Sequence, residues 1–309
     1  MKILVTGGAG FIGSHLADTL IKKGHRLVVI DNLSTGFKKN LNPKARFYKV
    51  DIAEHRKIEN IMKKERPGVV FHLAAQIDVR KSVENPIFDA ECNILASINL
   101  IKLAKEYKVR KFIFASTGGA IYGDTKNRPT PEAEKEWPLS PYGIAKLTVD
   151  KFLHYYHEIH GLNFTSLRYG NVYGPRQNPH GEAGVAAIFL NKMLKGEQSV
   201  INSDGRQTRD YVYIEDVVRA NLLALKNFKK SGICNVGTAR EINVNQLFSE
   251  INKQFGGKFK QVHGPAKIGE QKTSCLSYAK IKKDLGWQPR ISFAEGIEKT
   301  FDWFRNQPK

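Results

Sequence analysis

One short segment constrains this chain more than any other. Thr6-Gly7-Gly8-Ala9-Gly10-Phe11-Ile12-Gly13 follows an apolar run, Ile3-Leu4-Val5, and leads into a helical pattern from Phe11 to Lys23. It holds Gly8-x-Gly10-x-x-Gly13 and equally Gly7-x-x-Gly10-x-x-Gly13. Glycine is required there because the turn is tight, a β-carbon would keep a pyrophosphate off the backbone, and the helix must pack closely on the strand. The helix start then offers free N–H groups and a positive dipole end to phosphate. A glycine turn alone is weak evidence, but at a strand–helix junction it predicts a dinucleotide-binding βα unit.

The rest of the pattern extends that unit. Ile3 to Val5, Leu27 to Ile30, Phe47 to Val50, Val69 to Leu73, Phe112 to Ala115 and Phe164 to Leu167 read as buried parallel strands. Helical patterns such as Phe11 to Lys23, Ile87 to Tyr107 and Tyr142 to His160 lie between them. The expected class is α/β: a doubly wound parallel sheet of Rossmann type with a smaller, mostly helical C-terminal domain that binds substrate. Residues 1–170 are expected to bind the dinucleotide, with 210–238 packing back on that sheet, and 171–309 to bind the substrate. Tyr169 to Gly184 reads as a crossing loop, and Ser292 with Glu295 as the cap of a last helix ending near Phe304.

The 309 residues carry 49 basic and 30 acidic side chains, a net charge of +19 that attracts polyanions. The lysines and arginines are spread along polar helix faces without interleaved aromatics, so phosphate-bearing ligands are favoured over nucleic acid. No apolar run is long enough to span a bilayer, and the chain opens on a strand rather than a signal peptide. Cys92, Cys234 and Cys275 lack metal spacing and read as free thiols in a reducing compartment, the cytoplasm.

Asp31 ends the second strand, within Asp31-Asn32-Leu33-Ser34-Thr35-Gly36. A carboxylate there accepts hydrogen bonds from the adenine ribose hydroxyls and repels a 2′-phosphate, so NAD is expected over NADP. The competing role is a turn or helix cap. Asp51-Ile52 after the third strand and Leu73-Ala74-Ala75 after the fourth are further candidates to line the cofactor.

Tyr142-Gly143-Ile144-Ala145-Lys146 opens a long helix and puts Tyr142 and Lys146 on one face. A free phenol has a pKa of about 10, too high for a base at neutral pH. A nearby ammonium and an oxidised nicotinamide would stabilise the phenolate and let it take a proton from a sugar hydroxyl during hydride transfer. Ser116 and Thr117 follow the strand ending at Ala115 and face the ligand crevice. Thr117 is the preferred proton relay, with Ser116 the competitor.

Together these residues resemble the extended short-chain dehydrogenase/reductase family, nearly end to end. His72 to Gln76, Ser116 to Gly123, Ser140 to Gly143, Leu167 to Arg176 and Arg209-Asp210-Tyr211 are most similar to the UDP-glucose 4-epimerases of that family. The resemblance implies transient oxidation of a UDP-sugar at C4 and hydride return to the opposite face, with Thr117, Tyr142 and Lys146 catalytic. It places Gln76, Asn93, Ser116 and Tyr169 with the cofactor, Asn171 with the substrate diphosphate, and Arg209 with a phosphate or the nucleotide, the competing role for Arg209 being a surface ion pair with Asp210. A homodimer built on the 87–107 and 142–160 helices is also implied. Lys267-Ile268-Gly269-Glu270 stands where relatives carry Arg-x-Gly-Asp, so Lys267 and Glu270 are the corresponding nucleotide contacts; Asn202 replaces an aromatic. These two changes leave the nucleotide open. Ser274, a small residue, implies room for an N-acetylhexosamine. Gly118-Gly119 offers no carboxyl pair to expel water, which argues against a dehydratase. Another epimerase, a 4-keto reductase and a non-catalytic NAD- or RNA-binding scaffold remain as alternatives.

Overall fold

The computed structural model describes residues 1–180, 184–266 and 271–307. The first half alternates strands and helices: β1 (Lys2–Thr6), α1 (Phe11–Lys22), β2 (Arg26–Asp31), β3 (Arg46–Lys49), α2 (His55–Glu65), β4 (Val69–His72), α3 (Val79–Glu84) and α4 (Pro86–Ala90). A π-helical turn, Glu91–Leu95, joins α4 to α5 (Ala96–Glu106). Then come β5 (Lys111–Thr117), the short α6 (Gly118–Ile121), α7 (Pro141–His160) and β6 (Phe164–Tyr169). All six expected strands form, each within two residues of its predicted ends.

The rest is more broken: β7 (Asn171–Tyr173), α8 (Val185–Leu194), β8 (Val200–Asn202), β9 (Thr208–Arg209), β10 (Tyr211–Tyr213), α9 (Ile214–Lys226), β11 (Gly232–Val236), β12 (Ile242–Asn243), α10 (Val244–Lys253), β13 (Val262–Gly264), α11 (Ala279–Leu285) and α12 (Phe293–Arg305). The crossing segment expected as loop contains β7, which pairs in parallel with β10. A three-residue strand among glycine, proline and asparagine leaves no usable period, so the pairing partner decides it.

Seven strands form one sheet in the order β11-β6-β5-β4-β1-β2-β3, every pair parallel. Buried on both faces, they need continuous apolar runs rather than alternation. One face packs on α1 and α9, the other on α2, α5 and α7, giving two core clusters. The strand order reverses at β1, and an open parallel sheet binds ligands outside the carboxyl ends of its strands at such a point.

Local signals fix the helix ends that matter. Ser140 caps α7 by accepting from Gly143 N at 3.2 Å, Pro141 stands at its first position, and Gly161 ends it at φ +69°. Ser292 accepts from Glu295 N at 3.2 Å and starts α12 as expected.

Candidate active site

A cleft of about 460 Å³ opens above β1, β2 and β4. Gly7, Gly10, Phe11, Ile12 and Gly13 line it from the turn, Asp31, Asn32 and Thr35 from beyond β2, and Asp51 and Ile52 from beyond β3. Leu73, Ala74, Ala75 and Gln76 close it from β4. The turn cannot tolerate side chains. Gly7 has φ +71°, and a β-carbon there would sit 2.7 Å from Ala74 N; one on Gly13 would sit 2.1 Å from Gly7 O. Gly36 does not line the cleft but supports the turn, since a β-carbon would meet the Ala9 carbonyl carbon at 2.9 Å. Asp31 is held rigidly: Ala9 N donates to Oδ2 at 2.9 Å and Leu33 N to Oδ1 at 2.8 Å. Asn32 Nδ2 donates to Asp51 Oδ2 at 2.7 Å, tying the β2 and β3 ends together. A glycine cradle, an open helix N-terminus and a fixed carboxylate at the end of β2 fit an NAD-like dinucleotide.

Arg176 and Gln177 also reach the cleft, as do Phe37 and Cys92, none of them singled out from sequence. Arg176 pairs with Asp18 of α1 at 2.7 Å. Its place in the Leu167 to Arg176 segment was the one available signal.

Tyr142, Lys146 and Asp150 do not line that cleft; α7 carries them at four-residue spacing on one face, tied to it through Ala115, which does line it. Lys146 Nζ donates to the Ala115 carbonyl at 2.9 Å and lies 4.7 Å from the Phe114 ring centre and 5.8 Å from that of Tyr142. Burial pulls the Lys146 ammonium down to about 8, while Asp150 and Asp89 favour its charged form. The Tyr142 hydroxyl is pushed above its ordinary value by burial, with the Asp89 charge adding to the rise. The spacing alone pointed only to the acidifying ammonium; the opposing carboxylate is a tertiary neighbour.

Ser116 and Thr117 separate cleanly. Ser116 is buried and its Oγ donates to Asp150 Oδ2 at 3.3 Å. Thr117 Oγ1, Asn171 Oδ1 and Ser274 Oγ converge on Gly119, each 3.8 to 3.9 Å from where its β-carbon would stand. Adjacent strand residues point to opposite faces, so only one of the two hydroxyls can look into this space.

One turn beyond Lys146 on α7, Asp150 is saturated. Arg168 Nε donates to Oδ2 at 2.9 Å and Ser166 Oγ donates to Oδ1. Arg168 continues to Tyr122 at 2.8 Å and to Glu136. Beside the helix, Asn93 lies in the π turn under the cleft wall. It donates to Gln76 O and to Asp89 Oδ1, and accepts from Gln76 N, all at 2.9 Å. It therefore holds Gln76 in place from beneath. Asp89 went unnoticed in the sequence; an acid four residues before Asn93 in the run Ile87-Phe88-Asp89-Ala90 was the only cue. His72 is fully buried between Thr6 Oγ1 at 2.7 Å and Ser97 Oγ at 2.8 Å, and burial lowers its pKa to about 3, so it is neutral.

On the substrate side, Asn171 and Arg209 stand on β7 and β9, both half-buried. Arg209 Nη1 donates to Thr208 O at 2.8 Å. The Asp210 carboxylate is turned inward and taken by Thr238, Ala239 and Leu276. Tyr169 differs from the expectation of a cofactor contact in one respect: its side chain lies in the core, hydrogen-bonded to Asn221, because β6 is buried on both faces. Lys267 and Glu270 lie outside the described residues.

Comparison with known proteins agrees with this geometry. Residues 3–237 match the model of the NAD dependent epimerase/dehydratase family. A UDP-glucose 4-epimerase of Mycolicibacterium smegmatis is 40% identical over 99% of each chain. The crystal structure of a UDP-glucose 4-epimerase from Thermotoga maritima, solved with UDP-glucose, superposes with a TM-score of 0.96 at 50% identity over 99% of both chains. That of a Thermus thermophilus UDP-glucose 4-epimerase in complex with NAD gives 0.93 at 41% identity, again over 99% of each. The chain belongs to the NAD-dependent epimerase/dehydratase family.

Proposed function

We propose that this protein is an NAD-dependent UDP-glucose 4-epimerase, an isomerase that inverts C4 of a UDP-sugar. The observation that carries the reading is the Tyr142–Lys146 face of α7, with Lys146 held on the carbonyl of Ala115, a residue that lines the glycine-cradled cleft. Gly7 to Gly13 and Asp31 hold the cofactor, which supplies the hydride acceptor, its return and a positive charge that favours a phenolate. Tyr142 Oη accepts the C4 hydroxyl proton and gives it back. Thr117 Oγ1 hydrogen-bonds that hydroxyl and passes the proton. Lys146, anchored on Ala115 O, supplies fixed positive charge. Asn171, Arg209, Lys267 and Glu270 contact the nucleotide diphosphate and ribose from the 171–309 region, leaving the sugar free to present either face.

Space at Gly119, where a β-carbon would meet nothing nearer than 3.8 Å, favours UDP-N-acetylhexosamines as additional substrates. The protein incubated without added NAD should interconvert UDP-glucose and UDP-galactose, followed at C4 by NMR. Tyr142→Phe should lower kcat about 10²- to 10⁴-fold, the usual contribution of a positioned acid/base. Inversion at full speed in that variant would sink the reading. We also infer a homodimer: Ile87, Leu95 and Ile159 are more than half exposed on the α4–α5 and α7 surfaces. Sedimentation as a monomer at micromolar concentration would overturn this. Three free cysteines fit a reducing cytoplasm. Among the described residues, no helix is long and apolar enough to cross a membrane.

A further inference from the structure

We propose that Asp89 is a positioning residue for this reaction: a buried carboxylate, half-satisfied and packed with α4 against α7, that sets the pH range in which the Tyr142–Lys146 pair works. The inference rests on the epimerase reading and deepens it.

Asp89 is 1% exposed. Its Oδ1 accepts from Gln76 Nε2 and Asn93 Nδ2, both at 2.9 Å, while its Oδ2 is buried with no partner among the described residues. Neither bond comes from a cation. A buried charge left in this condition is expensive, and is retained most readily where the charge itself has work to do. Glu91 of the π turn and Asp51 beyond β3 act together with Asp89 on Cys92. Lys146 and Asp150 lie along α7, His72 comes from β4, Cys92 from the π turn, Lys81 from α3 at the cleft wall, and Arg168 from β6 behind Asp150. His72 is neutral, and burial pushes the Cys92 thiol up to about 11, so it too is neutral. Asp150 is paired with Arg168 yet still favours the Lys146 ammonium, more strongly than Asp89 does. Among the described residues, Asp89 is the carboxylate whose charge is felt at Tyr142 as well as at Lys146.

The sign follows directly. The Asp89 charge raises both the Tyr142 hydroxyl and the Lys146 ammonium. Turnover needs the first deprotonated and the second protonated, so removing the charge must move both limbs of the kcat–pH bell to lower pH. Asp89→Asn is a clean removal. The amide oxygen can still accept from Gln76 and Asn93, and the amide nitrogen replaces an oxygen that had no partner.

The test compares wild-type and Asp89→Asn holoenzymes in two measurements. The first is kcat against pH with UDP-glucose. The second is a ¹³C NMR titration of labelled tyrosine, with Tyr142 assigned by Tyr142→Phe. We expect the variant to be faster than wild type on the acid limb, by roughly threefold or more. The Tyr142 resonance should titrate at lower pH. Coincident bells with a uniformly lower kcat, and an unmoved Tyr142 titration, would overturn the proposal and leave Asp89 a packing residue. If no UDP-sugar is turned over, the epimerase reading fails while the tyrosine titration still decides the effect of Asp89. Should Asp89→Asn not fold, Asp89→Ser removes the same charge and is held to the same outcomes.

Discussion

Two buried carboxylates flank the Tyr142–Lys146 pair, and they are built in opposite ways. Asp150, on the same helix, is filled: Arg168 and Ser116 donate to one oxygen and Ser166 to the other. Asp89, on the neighbouring α4, holds two neutral amides on one oxygen and, among the described residues, nothing on the other. A saturated buried ion pair fixes geometry, because breaking it strands a charge in low dielectric. A carboxylate whose hydrogen bonds come only from neutral amides leaves its field available to its neighbours. The difference separates the part of the site that holds α7 against β5 and β6 from the part that tunes it.

The largest effect should come from the saturated side. Arg168→Ala strands the buried Asp150, while Glu136 keeps Lys151, and should cost about 3–5 kcal/mol of unfolding free energy by urea titration. A loss below about 1 kcal/mol would mean that the Asp150 cluster is not architecture. Next, Thr117→Val should lower kcat about 10- to 100-fold at little cost in stability, a loss of proton relay. Ser116→Ala should instead spare kcat and remove about 1 kcal/mol of stability, since its hydroxyl serves Asp150. The reverse pattern would exchange the roles of the two hydroxyls. The smallest effect is on the tuning side: Asp89→Asn should change stability by less than about 1 kcal/mol, because Gln76 and Asn93 can still donate to the new amide oxygen and Lys146 keeps Asp150. A loss as large as that of Arg168→Ala would erase the distinction between the two carboxylates.

Much of the cofactor side was legible in the sequence because its requirements are local. Gly7 and Gly13 are demanded by backbone approach within one turn, and Asp31 by its place at the end of one strand. Tyr142 and Lys146 declared themselves by a four-residue helical spacing. Asn93 could be placed near the cofactor, but its task of gripping Gln76 across 17 residues could not be read.

The order of the elements, the parallel sheet, the glycine cradle and the helix that carries Tyr142 and Lys146 were therefore determined by sequence alone, since strand runs, helical period, caps and turn chemistry act over a few residues. Folding in three dimensions decided the rest. It assigned Ser116 to the interior and Thr117 to the space at Gly119, turned Tyr169 into the core, paired β7 with β10, and brought Asp89 and Asp150 within electrostatic reach of Lys146. Those outcomes depend on which distant side chains share a low-dielectric space, and no local period encodes that.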